Sequence, residues 1–290
     1  MNMAEIRHRI TSIQQTRQIT QAMRLISSAK MRSGMQRAEI NEQYVNEVRS
    51  SIRVLLASTT DVTHRYIRKA RSGRAAYIVI TSDRGLAGGY NANVLKLAHQ
   101  HMQMYEPVHV YAIGNVAHDF FTAHDIAHDL RYLHAIVDPT LTTARKLTLE
   151  LCELYDNDEI DQVFVFYTLL ISSLNGQPMV MRLLPVRVTD FPDIPLPQEV
   201  HGNSFVFEPD AATVLENLVP QYLIGSIYAT LIQSFASEQC ARMAAMDNAT
   251  RNADEMLASL RLEYNRVRQG SITQELNEIM GGMLTGDDPS

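Results

Sequence analysis

Tryptophan is absent from this 290-residue chain and cysteine occurs only twice, at Cys152 and Cys240. Two isolated cysteines build no disulfide framework, and no CxxC or Cys/His zinc spacing exists, so a reducing compartment is expected. Long hydrophobic runs are also missing. The longest, VFVFYTLLI from Val163 to Ile171, is nine residues, far short of the roughly 20 that cross a bilayer, so direct membrane insertion is not expected. Basic charge is not in excess: 26 Lys and Arg face 32 Asp and Glu, net -6, which excludes a strongly basic nucleic-acid binder. With 46% hydrophobic and 20% charged residues, the chain is too apolar to be disordered.

Charge and proline are both unevenly placed. Residues 1–74 carry 14 basic against 5 acidic side chains, net +9, and the remainder is net -15. A basic, Ser-rich start is also transit-peptide composition, but Glu5 intrudes early and helical periodicity runs past any cleavage point. The first proline is Pro107, six of the ten lie between Pro178 and Pro209, and none separates Pro220 from Pro289. Both ends are therefore free to form long helices.

The apolar positions agree with that reading. Ile6, Ile10, Ile13, then Ile19, Ala22, Met23, Ile26, then Met31, Met35, Ala38, Val45, Val48, Ile52 and Leu55 follow steps of three and four, one face of a helix. About 55 such residues would span about 80 Å. A second stripe runs from Tyr222 through Met243, Met246, Ala253, Met256, Leu260, Tyr264 and Val267 to Leu276 and Ile279, with Gly281 and Gly282 as the expected stop. Between them the period changes. Ala75–Ser82, Pro107–Gly114, Asp161–Leu170 and Pro178–Val186 read as strands, with helices at Asn91–Met104 and Thr140–Tyr155. The expected fold class is α/β: a long antiparallel coiled coil of the N- and C-terminal helices with an inserted Rossmann-like α/β domain. The expected domains are an N-terminal shaft helix at 1–60, an α/β head or foot domain at 75–209 and a C-terminal shaft helix at 210–286.

Clustered chemistry is sparse. TSDRGLAGGYN, Thr81 to Asn91, follows a strand and opens a helix, where backbone N–H groups can face phosphate. Its glycines fit neither GxGxxG nor a P-loop, so a structural turn and a nucleotide site both stand. His118, His124, His128 and His134 lie among Asp119, Asp125 and Asp129, residue types that bind metal. His124 and His128 would share a face only in a helix, and Ile126–Leu133 reads equally as a strand. SLNG, Ser173 to Gly176, lacks the glycines of a nucleophile elbow.

Three stretches carry a family likeness. Ile6–Met31 (IRHRITSIQQTRQITQAMRLISSAKM), the loop SDRGLAGGYN, and SEQCARMAAMDNAT with RQGSITQELNEIMGG resemble the γ subunits of F-type ATP synthases over essentially the whole chain. The resemblance implies a non-catalytic central rotor shaft without cofactor or metal. It would sit inside a hexamer of α and β subunits, with a foot on the membrane c-ring and the ε subunit, at the cytoplasmic face of a bacterial inner membrane.

By the same resemblance, Met23, Arg24, Lys30 and Arg32, with Arg242 opposite, belong near the β lever region. Arg268, Gln269 and Thr273 belong to contacts with β loops deeper in the hexamer, and Phe207 and Glu208 to the ring and ε side. The chain departs from the family at Ala87, commonly Cys, and at Arg24, commonly acidic or Lys. It carries no chloroplast-type dithiol insert. A different class of reading is a nucleotide-binding α/β enzyme with helical oligomerisation arms; a third is a scaffold whose rods tether partners.

Overall fold

The computed structural model describes residues 2–58, 64–68, 73–172, 175–192 and 207–285, so Ser173 and Leu174 of the SLNG stretch lie outside the described residues. Helix α1 spans Met3–Ser58 and helix α5 spans Ala211–Thr285. The chain divides into two compact units, Met1–Ile26 with Met243–Ser290, and Ser27–Arg242.

The first unit is an antiparallel pair of helical segments from α1 and α5. Arg7 donates to the Tyr264 hydroxyl at 2.8 Å, Arg17 pairs with Asp254 at 2.5 Å, the Thr20 and Thr250 hydroxyls meet at 2.8 Å, and Arg24 lies 3.8 Å from Asp247. Each step forward on α1 is matched by a step back on α5. Buried or half-buried positions include, on α1, Ile6, Ile10, Ile13, Arg17, Thr20 and Arg24, and on α5 Met246, Thr250, Ala253, Leu257, Leu260, Tyr264, Val267 and Ser271. Steps alternating between three and four are the coiled-coil repeat.

The seam departs from the expected stripe. Ile19, Leu25 and Ile26 are more than half exposed, as is Met256, and Leu257 takes the inward place. Thr20, which the hydrophobic pattern passes over, is buried instead. Neighbouring positions on a helix share an edge, so a narrow stripe of small residues leaves register to the partner helix. Here hydroxyl pairing and the two Arg–Asp pairs flanking it set that register.

In the second unit, strands β1 (Arg74–Ile80), β2 (Glu106–Ile113), β3 (Gln162–Ser172) and β4 (Asn175–Leu184) form one sheet in the order β2-β1-β3-β4. β1 lies parallel to both β2 and β3, and β4 returns antiparallel to β3. Helices α2 (Tyr90–Met102), α3 (Asn115–Ala123) and α4 (Leu141–Asp156) make the crossovers.

Alternation along β1 sends Ala75, Tyr77 and Val79 to one core, with Val94 and Ala98 of α2 and Phe121 of α3. Ala76, Ile78 and Ile80 enter the other, with Leu147 and Leu151 of α4, Ile52 and Leu55 of α1, and Leu223 and Ile227 of α5. A sheet covered on both faces has no polar side to show, so β1 is buried from Ala75 to Ile80.

Within this unit α1 keeps the same repeat through Met31, Gly34, Asn41, Val45, Val48, Ile52 and Leu55. Gly34 and Gly225 let the helices approach. A Cβ on Gly34 would lie 3.1 Å from the Phe235 ring, and one on Gly225 2.8 Å from Val45. The Asn41 amide donates to the Gly225 carbonyl at 3.1 Å.

The expected stop at Gly281 and Gly282 is corrected. α5 begins at Ala211 and carries Pro220 inside it; the apolar face of Leu215, Val219, Leu223 and Ile227 is fully buried and outweighs one lost backbone bond. It also continues past Gly281 and Gly282 to Thr285, because glycine lowers helix propensity without forbidding it. Helix α3 and the two turns after it follow a segment with no clear period, which the sequence pattern does not reveal.

Candidate partner-contact sites

The C-terminal stretch of α5 outruns its partner in the first unit. The paired residue numbers sum to 270 or 271, so Met3, where α1 begins, faces residue 268. Beyond Ser271 every described side chain of α5 is exposed. Ile272, Leu276 and Ile279 are 44%, 55% and 59% exposed, at spacings of four and three that place them on one face. Arg268, Gln269 and Thr273 are exposed in the same stretch, and the Thr273 hydroxyl donates to the Gln269 carbonyl at 2.9 Å. The stripe is an apolar helical face that its own unit leaves uncovered.

Met23 and Arg24 are half-buried in the first unit. In the second, Lys30 and Arg32 are exposed, and Lys30 bears electrostatically on Glu238. Phe207 is half-buried against the core and Glu208 is exposed.

Arg242 is occupied within the chain. Its side chain is 11% exposed and pairs with Glu238, one turn earlier, at 2.6 Å. The guanidinium also donates to the carbonyls of Arg84 and Gly85 at 3.0 and 3.1 Å. Burial pushes the Glu238 carboxyl up from its ordinary value, and Arg242 opposes that shift. Glu238 is the residue that sequence reasoning passed over; the Glu-to-Arg spacing of four in SEQCARM was the available signal.

The glycine-rich loop is therefore a structural turn in this arrangement. Asn91 accepts from the Ser82 backbone N–H at 2.9 Å and its amide donates to the Ser82 hydroxyl at 2.7 Å, while that hydroxyl donates to the Arg84 carbonyl at 2.7 Å. Asp83 accepts from the Asn115 N–H and meets His134 at 2.8 Å. A phosphate cradle turns N–H groups to the ligand; this loop turns two carbonyls to a guanidinium. Leu86, at φ 65, is left 64% exposed at its tip.

The histidines do not converge. α3 ends at Ala123, so His124 and His128 share no helical face. His124 stacks on Phe120 at 4.1 Å and bonds its carbonyl, whereas His128 bridges His118 and the Ile126 carbonyl, each at 2.8 Å. Among the described residues no group of three or more His, Cys, Asp or Glu side chains is placed to hold a metal ion. A chelator is expected to leave the unfolding temperature unchanged, whereas His128→Asn lowers stability by about 1 kcal/mol. Chelator-induced loss of stability would contradict this.

Comparison with known proteins decides the family. A family model described as ATP synthase matches residues 2–285. The chain is 40% identical to the ATP synthase gamma chain of Ruminiclostridium cellulolyticum over 286 residues, covering 97% of each. It belongs to the γ-chain family of F-type ATP synthases, the family of the central stalk. Its fold is shared with chains of the Euglena gracilis mitochondrial ATP synthase. One, from the rotor, has a TM-score of 0.66 at 16% identity, with 93% of this chain and 98% of that one covered. Another, from the OSCP/F1/c-ring assembly, has a TM-score of 0.65 at 17% identity, with 98% and 94% covered.

Proposed function

We propose that this subunit is a non-catalytic rotor shaft that turns within a hexamer of α and β subunits and carries rotation of a membrane c-ring to the nucleotide sites of β. The uncovered stretch of α5 beyond Ser271 supports this reading most directly: exposed Ile272, Leu276 and Ile279 require a partner, and the family supplies a ring of them. No described helix is long and apolar enough to cross a membrane. In this reading the subunit is peripheral, on the cytoplasmic face of a bacterial inner membrane. Phe207 and Glu208 are assigned to the ring and ε side, and Met23, Arg24, Lys30 and Arg32 to the β lever region. Arg242 is assigned there through the loop that it holds.

The mechanism is a bias on a two-state partner. A shaft face that binds one β conformation better than the other shifts that β. Moving it from 1:99 to 99:1 requires a difference of about 5.5 kcal/mol between faces. Exposed Ile19 and Ile26 support shaft faces of unlike chemistry.

Arg268, Gln269 and Thr273 provide the test. Positions 269 and 273 share a face and Arg268 lies on its edge, where its guanidinium suits a carboxylate on a β loop. The Thr273 hydroxyl already bonds its own helix, so the triple Ala variant should fold normally. The expected result is an intact hexamer by gel filtration with ATP hydrolysis reduced several-fold, because an angle-dependent contact acts on the barrier between states. Wild-type turnover would refute the contact, and failure to assemble would make these residues anchors instead.

A further inference from the structure

In the second unit, strand β3 pairs with β1 as far as Phe166, opposite Val79, and then runs on to Ser172. Helix α5 takes the place of a neighbouring strand there. The Thr168 N–H donates to the Ser234 hydroxyl at 3.3 Å, and the Thr168 carbonyl accepts from the Ser237 hydroxyl at 3.0 Å. Both backbone groups of one strand residue are thus held by side chains of one helical turn. On its other edge Thr168 faces Pro178 of β4, which has no N–H to offer. Thr168, Ser234 and Ser237 are all buried. The β3–β4 hairpin also comes close to the helix, since a Cβ on Gly176 would lie 3.4 Å from the Ser237 Cβ.

These bonds stand where the buried face of α5 changes character. Leu215, Val219, Leu223, Ile227 and Leu231 make it apolar. Ser234, Glu238 and Arg242, four residues apart, continue that side of the helix with polar groups, and Arg242 carries the pairing on to the Arg84 and Gly85 carbonyls. Apolar burial is non-directional, whereas a hydrogen bond weakens steeply once its angle falls below about 120°. A turn or slide of α5 on the sheet can therefore keep its apolar contacts satisfied, yet it breaks both bonds at Thr168. A buried N–H and a buried carbonyl left unpaired cost their full desolvation. Fixing register is the best-attested use of such buried polar contacts.

We propose that Ser234 and Ser237 are positioning residues that lock α5 to the sheet, so that a turning force on the α/β domain reaches the helix without slip. The proposal deepens the rotor-shaft reading and rests on it. Its test uses inside-out vesicles carrying the assembled complex, with ATP hydrolysis and the resulting membrane potential measured together by a potential-sensitive dye, which serves whichever cation is moved. In Ser234→Ala/Ser237→Ala, hydrolysis should stay close to wild type while the potential built per ATP falls several-fold. Ile227→Val removes a buried methylene from the same helix and should leave that ratio unchanged. A wild-type ratio in the serine variant, or an equal fall in Ile227→Val, overturns the lock alone. If the wild-type complex itself builds no potential, the rotor-shaft reading fails and the lock falls with it.

A reversible variant decides the matter should the alanines prevent assembly. Gly176→Cys with Ser237→Cys sets two Cβ atoms 3.4 Å apart, close to the span of a disulfide. Thr168→Ser removes the methyl that would stand 2.8 Å from the first of them, and Ser234→Ala removes the remaining serine. Oxidised, this protein should couple as wild type does; reduced, it should lose several-fold in potential per ATP. A ratio indifferent to the reductant overturns the proposal.

Discussion

Gly114→Ala is expected to destabilise the α/β unit by about 2–6 kcal/mol, combining a backbone conformation that only glycine tolerates with overpacking. Gly114 sits between β2 and α3 at φ 92 and ψ 140. A Cβ there would lie 2.4 Å from the Thr81 carbonyl oxygen and 2.7 Å from its carbon. Neither side can yield cheaply. The Thr81 N–H donates to Ile113 at 2.8 Å, its hydroxyl accepts from the Ala117 N–H at 2.9 Å, and the Gly114 N–H donates to Leu133 at 2.7 Å. The obstructing atoms are backbone, held on both strands. Gly85→Ala is the control: nothing lies within 4 Å of the added methyl, so its effect should stay within about 0.5 kcal/mol. Urea unfolding of both variants checks the contrast, and equal midpoints would remove the argument.

Arg242→Ala is expected to cost about 3–5 kcal/mol near neutral pH, because it leaves the Glu238 carboxylate buried without its cation. The pH dependence gives the cause. Burial raises the folded-state value of Glu238 above the ordinary 4.5. The stabilising contribution of a raised carboxyl is complete below the unfolded value and is lost as pH climbs through the folded one. Removing Arg242 takes away the main influence holding that value down, so the variant should regain stability as pH falls toward about 4.5, within the range where the unit itself stays folded. Adding Glu238→Gln should restore much of the loss at about pH 8, since no charge is then buried. Urea midpoints at about pH 5 and about pH 8 measure both effects; a defect independent of pH and unrelieved by Glu238→Gln would place the role of Arg242 in its bonds to Arg84 and Gly85 alone.

The sequence by itself determined the type and order of the two long helices, the four strands and helices α2 and α4, but not α3. Proline placement left the ends free for α1 and α5, alternation in AAYIVITS and DQVFVFYTLL marked strands, and the terminal motifs carried the family. These signals are local: a period of three to four or of two, and the absence of proline, constrain the backbone whatever it packs against.

What the fold alone decided depends on which surface each residue meets. Thr20 rather than Ile19 lies in the seam because Thr250 faces it. Pro220 is carried inside α5 because Leu215, Val219, Leu223 and Ile227 are buried around it. The histidines between 118 and 134 form pairs rather than a cluster because α3 ends before His124. Arg242, legible as a contact residue from the resemblance, is buried on Glu238 and on two carbonyls of a loop 157 and 158 residues away in sequence. Gly114 looks like any other glycine until Thr81 is placed 2.4 Å from the Cβ it lacks. The physical reason is common to all of them. Burial and pairing energies belong to contacts between distant segments, and a narrow, small-residue helix face is nearly degenerate in register until the partner surface selects one.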